Sequence, residues 1–282
     1  MQNKKLKYIF FGTPDVASKT LEILKTKGYL PSLIITAPDK PQGRKMLITP
    51  PPVKIWAQEN NISILQPEKI TPEFIKNLDS YKADLFIVVA YGKILPENLI
   101  KLSKFGSINI HYSLLPKYRG ASPVESAILN GDTETGISIQ KMEFKMDSGP
   151  IIVQETTNIA PTEKAQELRE RLIELGGNLL VKIIPDYIEG KLNLIIQNEE
   201  AATYCKKIKK EDGLIDLEDL EKNPAKNYNK FRAYAHWPRT FFFKENKRII
   251  ITDAKIENNK FVIEKVLPEG KKEISWKDFN KK

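Results

Sequence analysis

Patterns of hydrophobic residues typical of strands and of helices alternate along the first half of the chain. Short apolar segments predict buried strands at residues 8–11, 33–35, 63–65 and 85–89, and the alternation of Ile108 and Ile110 with polar residues predicts another at 107–111. Helices are predicted between these runs. Val16, Leu21 and Leu24 supply the apolar face of the first helix, a second begins within residues 54–59, and Pro72 suits the first turn of another. This β-α-β alternation predicts a Rossmann-like doubly wound sheet of the α/β class.

The second half changes its pattern twice. Five apolar residues at spacings of three and four predict one long helix that ends near residues 187–190: Leu168, Leu172, Leu175, Leu179 and Ile183. Residues 191–204 show no period and are predicted to form a connector. Strands are predicted at residues 241–243, 248–252 and 261–266, with a turn at Asn258-Asn259. We therefore predict a domain over residues 1–189, a linker over 190–205 and a small β domain over 206–282.

Composition and charge place the chain among soluble globular proteins, with 41% hydrophobic and 29% charged residues. No apolar run approaches the ~20 residues that span a bilayer, and residues 1–7 lack a signal-peptide core. Cys205 is the single cysteine, which favours the cytosol, and with only two histidines a zinc cluster is not expected.

The net charge of +9 is uneven, because residues 190–282 hold 21 Lys/Arg against 15 Asp/Glu and so contribute +6. A basic surface attracts polyanions such as nucleic-acid phosphates, although lysine enrichment for solubility explains the same excess.

The candidate chemistry lies at residues 107–111 and just beyond. In the predicted strand Asn109 and His111 project to the same side, two positions apart. Gly12, Tyr91-Gly92 and His111 all stand at or just past strand ends, where doubly wound sheets bind ligands. A lone histidine near a strand end is more often structural than catalytic. The neighbouring amide and the carboxylate of Asp147 favour catalysis, and no serine or cysteine motif suggests a covalent acyl-enzyme.

Several motifs carry a resemblance to one family. Asn109-x-His111 is followed by Ser113-Leu114-Leu115-Pro116 and by Met146-Asp147-Ser148-Gly149-Pro150. The surrounding blocks are Phe11-Gly12-Thr13-Pro14, Ala90-Tyr91-Gly92-Lys93-Ile94-Leu95-Pro96 and Tyr118-Arg119-Gly120-Ala121-Ser122-Pro123. In these blocks the chain resembles the methionyl-tRNA formyltransferases, within the wider group of formyltetrahydrofolate-dependent formyltransferases.

The resemblance implies 10-formyltetrahydrofolate as formyl donor and initiator methionyl-tRNA as acceptor. Asn109, His111 and Asp147 would be the catalytic residues. The pterin would lie near Tyr91-Gly92 and near the turn Ser113-Leu114-Leu115-Pro116. The second domain would be an OB-like β-barrel, shortened between Arg248 and Phe261, where the chain is much shorter than in the family.

Two basic segments are candidates for tRNA contact. Proline density and charge predict an exposed irregular loop over residues 38–52. The resemblance implies that this loop enters the acceptor end of the tRNA through Arg44, with Lys40 and Lys45 as weaker phosphate contacts. Lysines beside the linker can follow a phosphate backbone, namely Lys206, Lys207 and Lys209. His236 and Trp237 are expected to pack in a core or between domains rather than to stack on bases.

Two alternatives stay open on the residues alone. The Asn-His-Asp trio also serves formyl transfer to a small amine, such as a nucleotide-linked sugar or glycinamide ribonucleotide. A protein that kept the fold but only binds RNA is the other. The basic loop and the appended basic domain favour tRNA. We expect a monomer in the cytoplasm, without a membrane partner and without a metal.

Overall fold

The computed structural model describes residues 6–43 and 45–281, which form two compact units. The first comprises the chain up to Pro116 together with Ile137–Glu155 and Leu172–Ala202. The second comprises Lys117–Gly136, Thr156–Arg171 and the chain from Thr203 onward. The domain boundaries expected at residues 189 and 205 stay a prediction.

The helices and strands follow one another along the whole chain. Up to residue 111 they are β1 (Tyr8–Gly12), α1 (Asp15–Thr26), β2 (Leu33–Ile35), β3 (Lys40–Gln42), β4 (Leu47–Thr49), α2 (Pro52–Glu59), β5 (Ile64–Leu65), α3 (Pro72–Asp79), β6 (Leu85–Val89), α4 (Glu97–Ile100) and β7 (Ser107–His111). Next come β8 (Arg119–Gly120), α5 (Pro123–Leu129), β9 (Glu134–Lys141), β10 (Ile151–Asn158) and α6 (Ala165–Ile188). The remaining elements are β11 (Tyr204–Cys205), α7 (Asp219–Lys222), α8 (Pro224–Ala233), β12 (Phe241–Lys244), β13 (Lys247–Glu257), β14 (Lys260–Pro268), β15 (Ile274–Ser275) and α9 (Trp276–Phe279), with 3-10 turns at Glu199–Ala201 and Lys210–Gly213.

The main sheet has seven strands in the order β10-β9-β7-β6-β1-β2-β5. The pairs β1–β2, β2–β5, β1–β6 and β6–β7 are parallel, whereas β9 runs antiparallel to β7. Successive strands leave β1 in both directions, so the strand order switches between β1 and β6. This confirms the predicted doubly wound sheet; the carboxyl ends of β1 and β6 flank the switch point, and β7 is the strand beside β6.

Burial explains why the first strands could be read from the sequence. Every residue of β1 and of β6 is buried, because parallel strands are covered on both faces. Helix α3 begins with Pro72 in its first turn, and the Thr71 side chain accepts a hydrogen bond from the Phe74 amide. Gly12 permits a close turn, since a Cβ there would lie 2.6 Å from the Cβ of Ala17.

The segment predicted as an irregular loop over residues 38–52 contains a β-hairpin instead. Strands β3 and β4 pair antiparallel, with Lys40 opposite Thr49 and Gln42 opposite Leu47. The prediction of an irregular loop was wrong because each strand has only three residues, too few to show a hydrophobic period, and β4 has no buried residue. The predicted exposure holds for Met46 and Ile48, which are 66% and 74% exposed.

The second unit contains an antiparallel sheet in the order β12-β13-β14-β15. The predicted strands and the turn at Asn258-Asn259 are confirmed; both turn residues have positive φ, as a tight hairpin requires. The core packs Phe231, Phe242 and Val266 against one another, among other apolar residues. The OB-like designation stays a prediction. Trp237 was expected to pack in a core or between domains and is 51% exposed, so that expectation was wrong. His236 is exposed as well. No helix in the described residues has the length and hydropathy that crossing a membrane requires.

Candidate active site

Strand β7 places Asn109 and His111 on one face of the main sheet. Asn109 lies opposite Gln140 of β9, and His111 lies opposite Ser138. His111 is 5% exposed, whereas Asn109 is only partly buried. Among residues 6–43 and 45–281, no group forms a hydrogen bond with the side-chain amide of Asn109. An oriented imidazole and an accessible amide therefore stand side by side at the carboxyl end of the strand.

The structure brings Asp147 to His111, although the two are distant in sequence. His111 Nδ1 lies 3.7 Å from Asp147 Oδ2, and the two side chains are 6% and 15% exposed. This distance is within reach of an ion pair and longer than a hydrogen bond, as is common in ligand-free active sites. Asp147 has a left-handed backbone conformation with φ of 51°. The predicted trio is thus gathered in one place, and its catalytic role stays a prediction.

Two glutamines that sequence reasoning missed contact the carboxylate residue. Gln140 Nε2 donates to Asp147 Oδ1 at 3.0 Å. Gln197 Nε2 donates to the carbonyl oxygens of Asp147 at 2.8 Å and Gly149 at 2.7 Å. Gln140 and Gln197 are 2% and 6% exposed. The sequence signal was weak. A glutamine within the apolar positions of β9 marks Gln140, but Gln197 lies in a segment without a period.

The turn expected to hold the pterin is fixed by side chains of β9 and β10. Ser138 Oγ donates to the Ser113 carbonyl at 2.6 Å and accepts from the Leu115 amide at 2.9 Å. Gln154 Nε2 donates to the Leu115 carbonyl at 2.9 Å and to Ser138 Oγ at 2.7 Å. Ser113 and Leu115 are buried, whereas Leu114 and Pro116 are half-buried. The backbone of this turn is therefore rigid enough to present fixed polar groups.

Tyr91-Gly92, the second segment predicted to lie near the pterin, presents backbone groups rather than side chains. The Tyr91 ring packs edge-on against Phe11 with centroids 5.6 Å apart, and burial raises the pKa of Tyr91 to about 12. Its carbonyl accepts from Thr13 Oγ1 at 3.0 Å. Ala90 and Gly92 both have positive φ, which forms a tight turn with Gly92 exposed. Tyr91 therefore supports the turn from the core, and Gly92 is open to a ligand.

Lys93 connects the same loop to residues that follow β5. Its Nζ donates to the carbonyl oxygens of Pro67 at 2.6 Å and Glu68 at 2.8 Å. Burial, and then the nearby charge of Lys40, hold the pKa of Lys93 below its ordinary value. The turn after β6 is thus tied to the chain that follows β5.

The predicted tRNA contacts fall on two parts of the molecule. Lys40 and Lys45 are exposed on the hairpin of β3 and β4, and Arg44 lies outside the described residues. Lys206, Lys207 and Lys209 are exposed and belong to the second unit. Within the described part of the chain, no group of three or more His, Cys, Asp or Glu residues is arranged to hold a metal.

Comparisons with known proteins assign the two parts of the chain. Residues 4–184 match the family model described as formyl transferase, and residues 207–265 match that of the formyl transferase C-terminal domain. A solved N-formyltransferase of Helicobacter canadensis, in complex with folinic acid and dTDP-3-aminofucose, has a TM-score of 0.66 at 21% identity. That alignment covers 90% of this chain and 88% of the other. The methionyl-tRNA formyltransferase of Clostridium thermocellum has a TM-score of 0.60 at 18% identity, covering 93% and 99%. At these identities both likenesses concern the fold.

Sequence identity narrows the family further. The methionyl-tRNA formyltransferase of Geobacter sulfurreducens is 40% identical over 245 residues, which cover 86% of this chain and 76% of that protein. Identity of this size over most of both lengths, together with the two matching domains, shows that the chain belongs to the methionyl-tRNA formyltransferase family.

Proposed function

We propose that this protein transfers a formyl group from 10-formyltetrahydrofolate to the α-amino group of methionine esterified to initiator tRNA. The observation that carries the proposal is the gathering of an amide, an imidazole and a carboxylate at the carboxyl end of β7, in a member of this family. The arrangement suits direct acyl transfer to an amine, because it offers an oxyanion donor and a proton acceptor without a nucleophilic side chain.

Asn109 is proposed to stabilise the negative charge that develops on the formyl oxygen. Its amide makes no hydrogen bond within the described residues and is accessible, so its N–H is available to a substrate. A neutral donor held in place before the reaction stabilises an oxyanion without reorganisation.

His111 is proposed to carry the proton of the reaction. When bound, the folate supplies an N-formyl group whose C–N bond breaks as the new amide bond forms. His111 takes the proton from the attacking amine and returns it to the departing nitrogen. Because an α-amino group has a pKa of about 7.7–8.0, an imidazole is a sufficient acceptor. Asp147, 3.7 Å from Nδ1, would orient the ring and stabilise its charged form.

The folate site is proposed along two backbone turns. Gly92 is exposed beside Ala90, and the turn at Ser113 and Leu115 is held by Ser138 and Gln154. Fixed backbone N–H and C=O groups suit the hydrogen-bonding edge of a pterin, which presents donors and acceptors in one plane. These residues fit the formyl donor by the chemistry of their polar groups.

The tRNA site is proposed on the exposed hairpin and on the lysines of the second unit. The hairpin presents Lys40 and Lys45, with Arg44 between its strands in sequence. An arginine binds phosphate or a base edge through two N–H groups at once, whereas a lysine acts as a point charge. A small-amine substrate would need neither basic element, and the 40% identity to a methionyl-tRNA formyltransferase favours tRNA over a nucleotide-linked amine.

Formylation assays with methionyl initiator tRNA, methionyl elongator tRNA and nucleotide-linked amino sugars test this function. We expect turnover with the initiator tRNA and little with the others. The Arg44→Ala variant should raise the KM for initiator tRNA while the KM for the folate stays unchanged. Turnover with an amino sugar and none with methionyl-tRNA would refute the proposal. We further propose that the protein acts as a monomer in the cytoplasm, where its tRNA substrate is found; light scattering of the purified protein checks the monomer.

A further inference from the structure

Asp147 is the member of the trio whose position regular structure does not set. His111 and Asn109 stand on a buried strand, whereas Asp147 follows β9 in an irregular segment and has a left-handed backbone. Its neighbours in that segment, Phe144 and Met146, are 64% and 59% exposed. A non-glycine residue in this conformation persists only where surrounding contacts hold it. The side chains that contact Asp147 therefore set the orientation of its carboxylate.

Gln197 holds the backbone at this point. Both protons of its amide group are engaged by the shortest contacts, which are the carbonyl oxygens of Asp147 at 2.8 Å and Gly149 at 2.7 Å. A Cβ at Gly149 would lie 1.8 Å from the Lys141 carbonyl oxygen, so the segment returns against the end of β9. The chain after α6 was predicted to be a connector; in the structure it supplies a buried contact to the site.

Gln140 acts on the carboxylate itself and makes its two oxygens unequal. Its Nε2 donates to Asp147 Oδ1 at 3.0 Å, and Oδ2 is the oxygen 3.7 Å from His111 Nδ1. Gln197 Nε2 lies 3.4 Å from Gln140 Oε1, which favours the amide orientation that turns Nε2 toward Asp147. Because Gln140 lies opposite Asn109 in the β7–β9 pair, the same strand pair positions both sides of the site.

We infer that Gln140 and Gln197 are positioning residues: Gln140 sets which oxygen of Asp147 faces His111, and Gln197 holds the backbone that carries this carboxylate. This inference rests on the proposed function. Position 140 must carry a neutral amide, since a carboxylate there would face that of Asp147 at hydrogen-bond distance and repel it. If the hydrogen bond between Gln140 and Asp147 served folding alone, its loss would change kcat by the same factor in the wild-type and the Asp147→Asn backgrounds.

Gln140→Met is the first test, because methionine keeps the length and volume of glutamine and removes the donor. We expect kcat for formylation to fall about tenfold or more, the size of one hydrogen bond to a charged group, with the KM values for tRNA and folate within about threefold. Gln140→Glu should fall further. Gln197→Met repeats the test if Gln140→Met does not fold. Gln58→Met, an exposed glutamine of α2, is the matched control and should keep the wild-type kcat.

A double-mutant cycle with Asp147→Asn separates positioning from a general structural effect. If Gln140 acts through Asp147, Gln140→Met should change kcat by less than about twofold in the Asp147→Asn background. Multiplicative losses in the double variant, or a wild-type kcat in Gln140→Met and Gln197→Met, would overturn the inference. The proposed function has its own outcome in the same experiment, because turnover of methionyl-tRNA by the wild-type protein tests it before any variant is compared.

Discussion

At the scale of the residue, Asn109 and His111 meet opposite requirements from the same strand. His111 is 5% exposed and has a carboxylate on one side, so its ring has a defined orientation. Asn109 is more accessible and, within the described residues, keeps its amide unpaired. An oxyanion donor has to be open to substrate, whereas a proton carrier benefits from a fixed partner. The proposed roles of Asn109 and His111 would meet both requirements from neighbouring positions on one strand face.

Removing the amide should therefore affect catalysis and leave folding intact. We expect Asn109→Ala to lower kcat by about 10²–10³, the usual cost of losing one oxyanion donor. The melting temperature should stay close to wild type because no protein hydrogen bond within the described residues is lost. Steady-state formylation and circular dichroism measure the two quantities. Asn98→Ala, at an exposed position of α4, is the control; a near-normal kcat for Asn109→Ala would remove this residue from the mechanism.

At the scale of the element, the β3–β4 hairpin is held at its base by one carboxylate. Lys54 Nζ donates to both oxygens of Asp39, at 3.0 and 2.8 Å, and Gln66 Nε2 donates to Oδ1 at 2.8 Å. Gln66 also donates to the Ala37 carbonyl at 2.8 Å. The hairpin itself has no buried face in β4, so these contacts position it relative to the sheet. Its exposed Met46 and Ile48 are then free to meet a partner.

Loss of this anchor should weaken the use of tRNA specifically. We expect Asp39→Ala to lower kcat/KM for methionyl-tRNA about tenfold, because a small misplacement of a binding element costs up to ~10²-fold. The KM for the folate should not change. Asp79→Ala, which removes an exposed pair with Lys82 on α3, is the matched control. Equal losses for both substrates would contradict a role confined to the hairpin.

The anchor should also have a defined response to pH. Hydrogen bonds from Gln66 and then from Lys54 hold the pKa of the Asp39 carboxyl below its ordinary value. A carboxyl with a lowered folded-state pKa contributes stability above its unfolded value of about 3.9 and loses it as the pH falls through the folded value. Proteolysis within the hairpin should therefore be constant above about pH 5 and accelerate only below about pH 4. Acceleration between about pH 6 and pH 7 would contradict this assignment.

At the scale of the whole molecule, positive charge is concentrated in the C-terminal third, which carries +6 of the net +9. Lys206, Lys207 and Lys209 are exposed, and within the described residues none of them forms an ion pair. Other lysines of the second unit are paired, as Lys255 is with Glu264 at 3.1 Å. When an unpaired lysine binds a phosphate of the tRNA, the counterion at that phosphate is released. A lysine that is already paired with a carboxylate contributes less to this release.

The three lysines should therefore appear in the salt dependence of tRNA binding. Each phosphate contact contributes about 0.7–0.9 to the slope of log Kd against log salt concentration. We expect the triple variant Lys206→Ala, Lys207→Ala, Lys209→Ala to reduce that slope by about 2–3. Filter binding over a range of salt concentrations measures it. The double variant Lys255→Ala, Lys265→Ala, at positions paired with Glu264 and Glu273, should keep the wild-type slope; an unchanged slope in the triple variant would exclude these contacts.

Five strands of the main sheet, β1, β2, β5, β6 and β7, and the long helix α6 could be predicted because patterns of neighbouring residues mark them, whereas β9 and β10 were not predicted. A strand covered on both faces is an unbroken apolar run, and a helix packed on one face has a repeat of three and four. The β3–β4 hairpin could not be predicted, since strands of three residues are too short to show a hydrophobic repeat. The motif around His111 could also be recognised from neighbouring residues, because it resembles that of a known family.

Folding alone decided how the site is completed. Gln197 contacts the backbone of a residue 50 positions earlier, and nothing in its own neighbourhood marks it. The second unit likewise gathers Lys117–Gly136 and Thr156–Arg171 with the C-terminal chain. A hydrogen bond depends on where two groups meet in space, whereas a hydrophobic period depends on the order of residues within one element. Local order therefore determines the buried strands and helices that the sequence predicts, and long-range packing determines which polar groups surround Asp147.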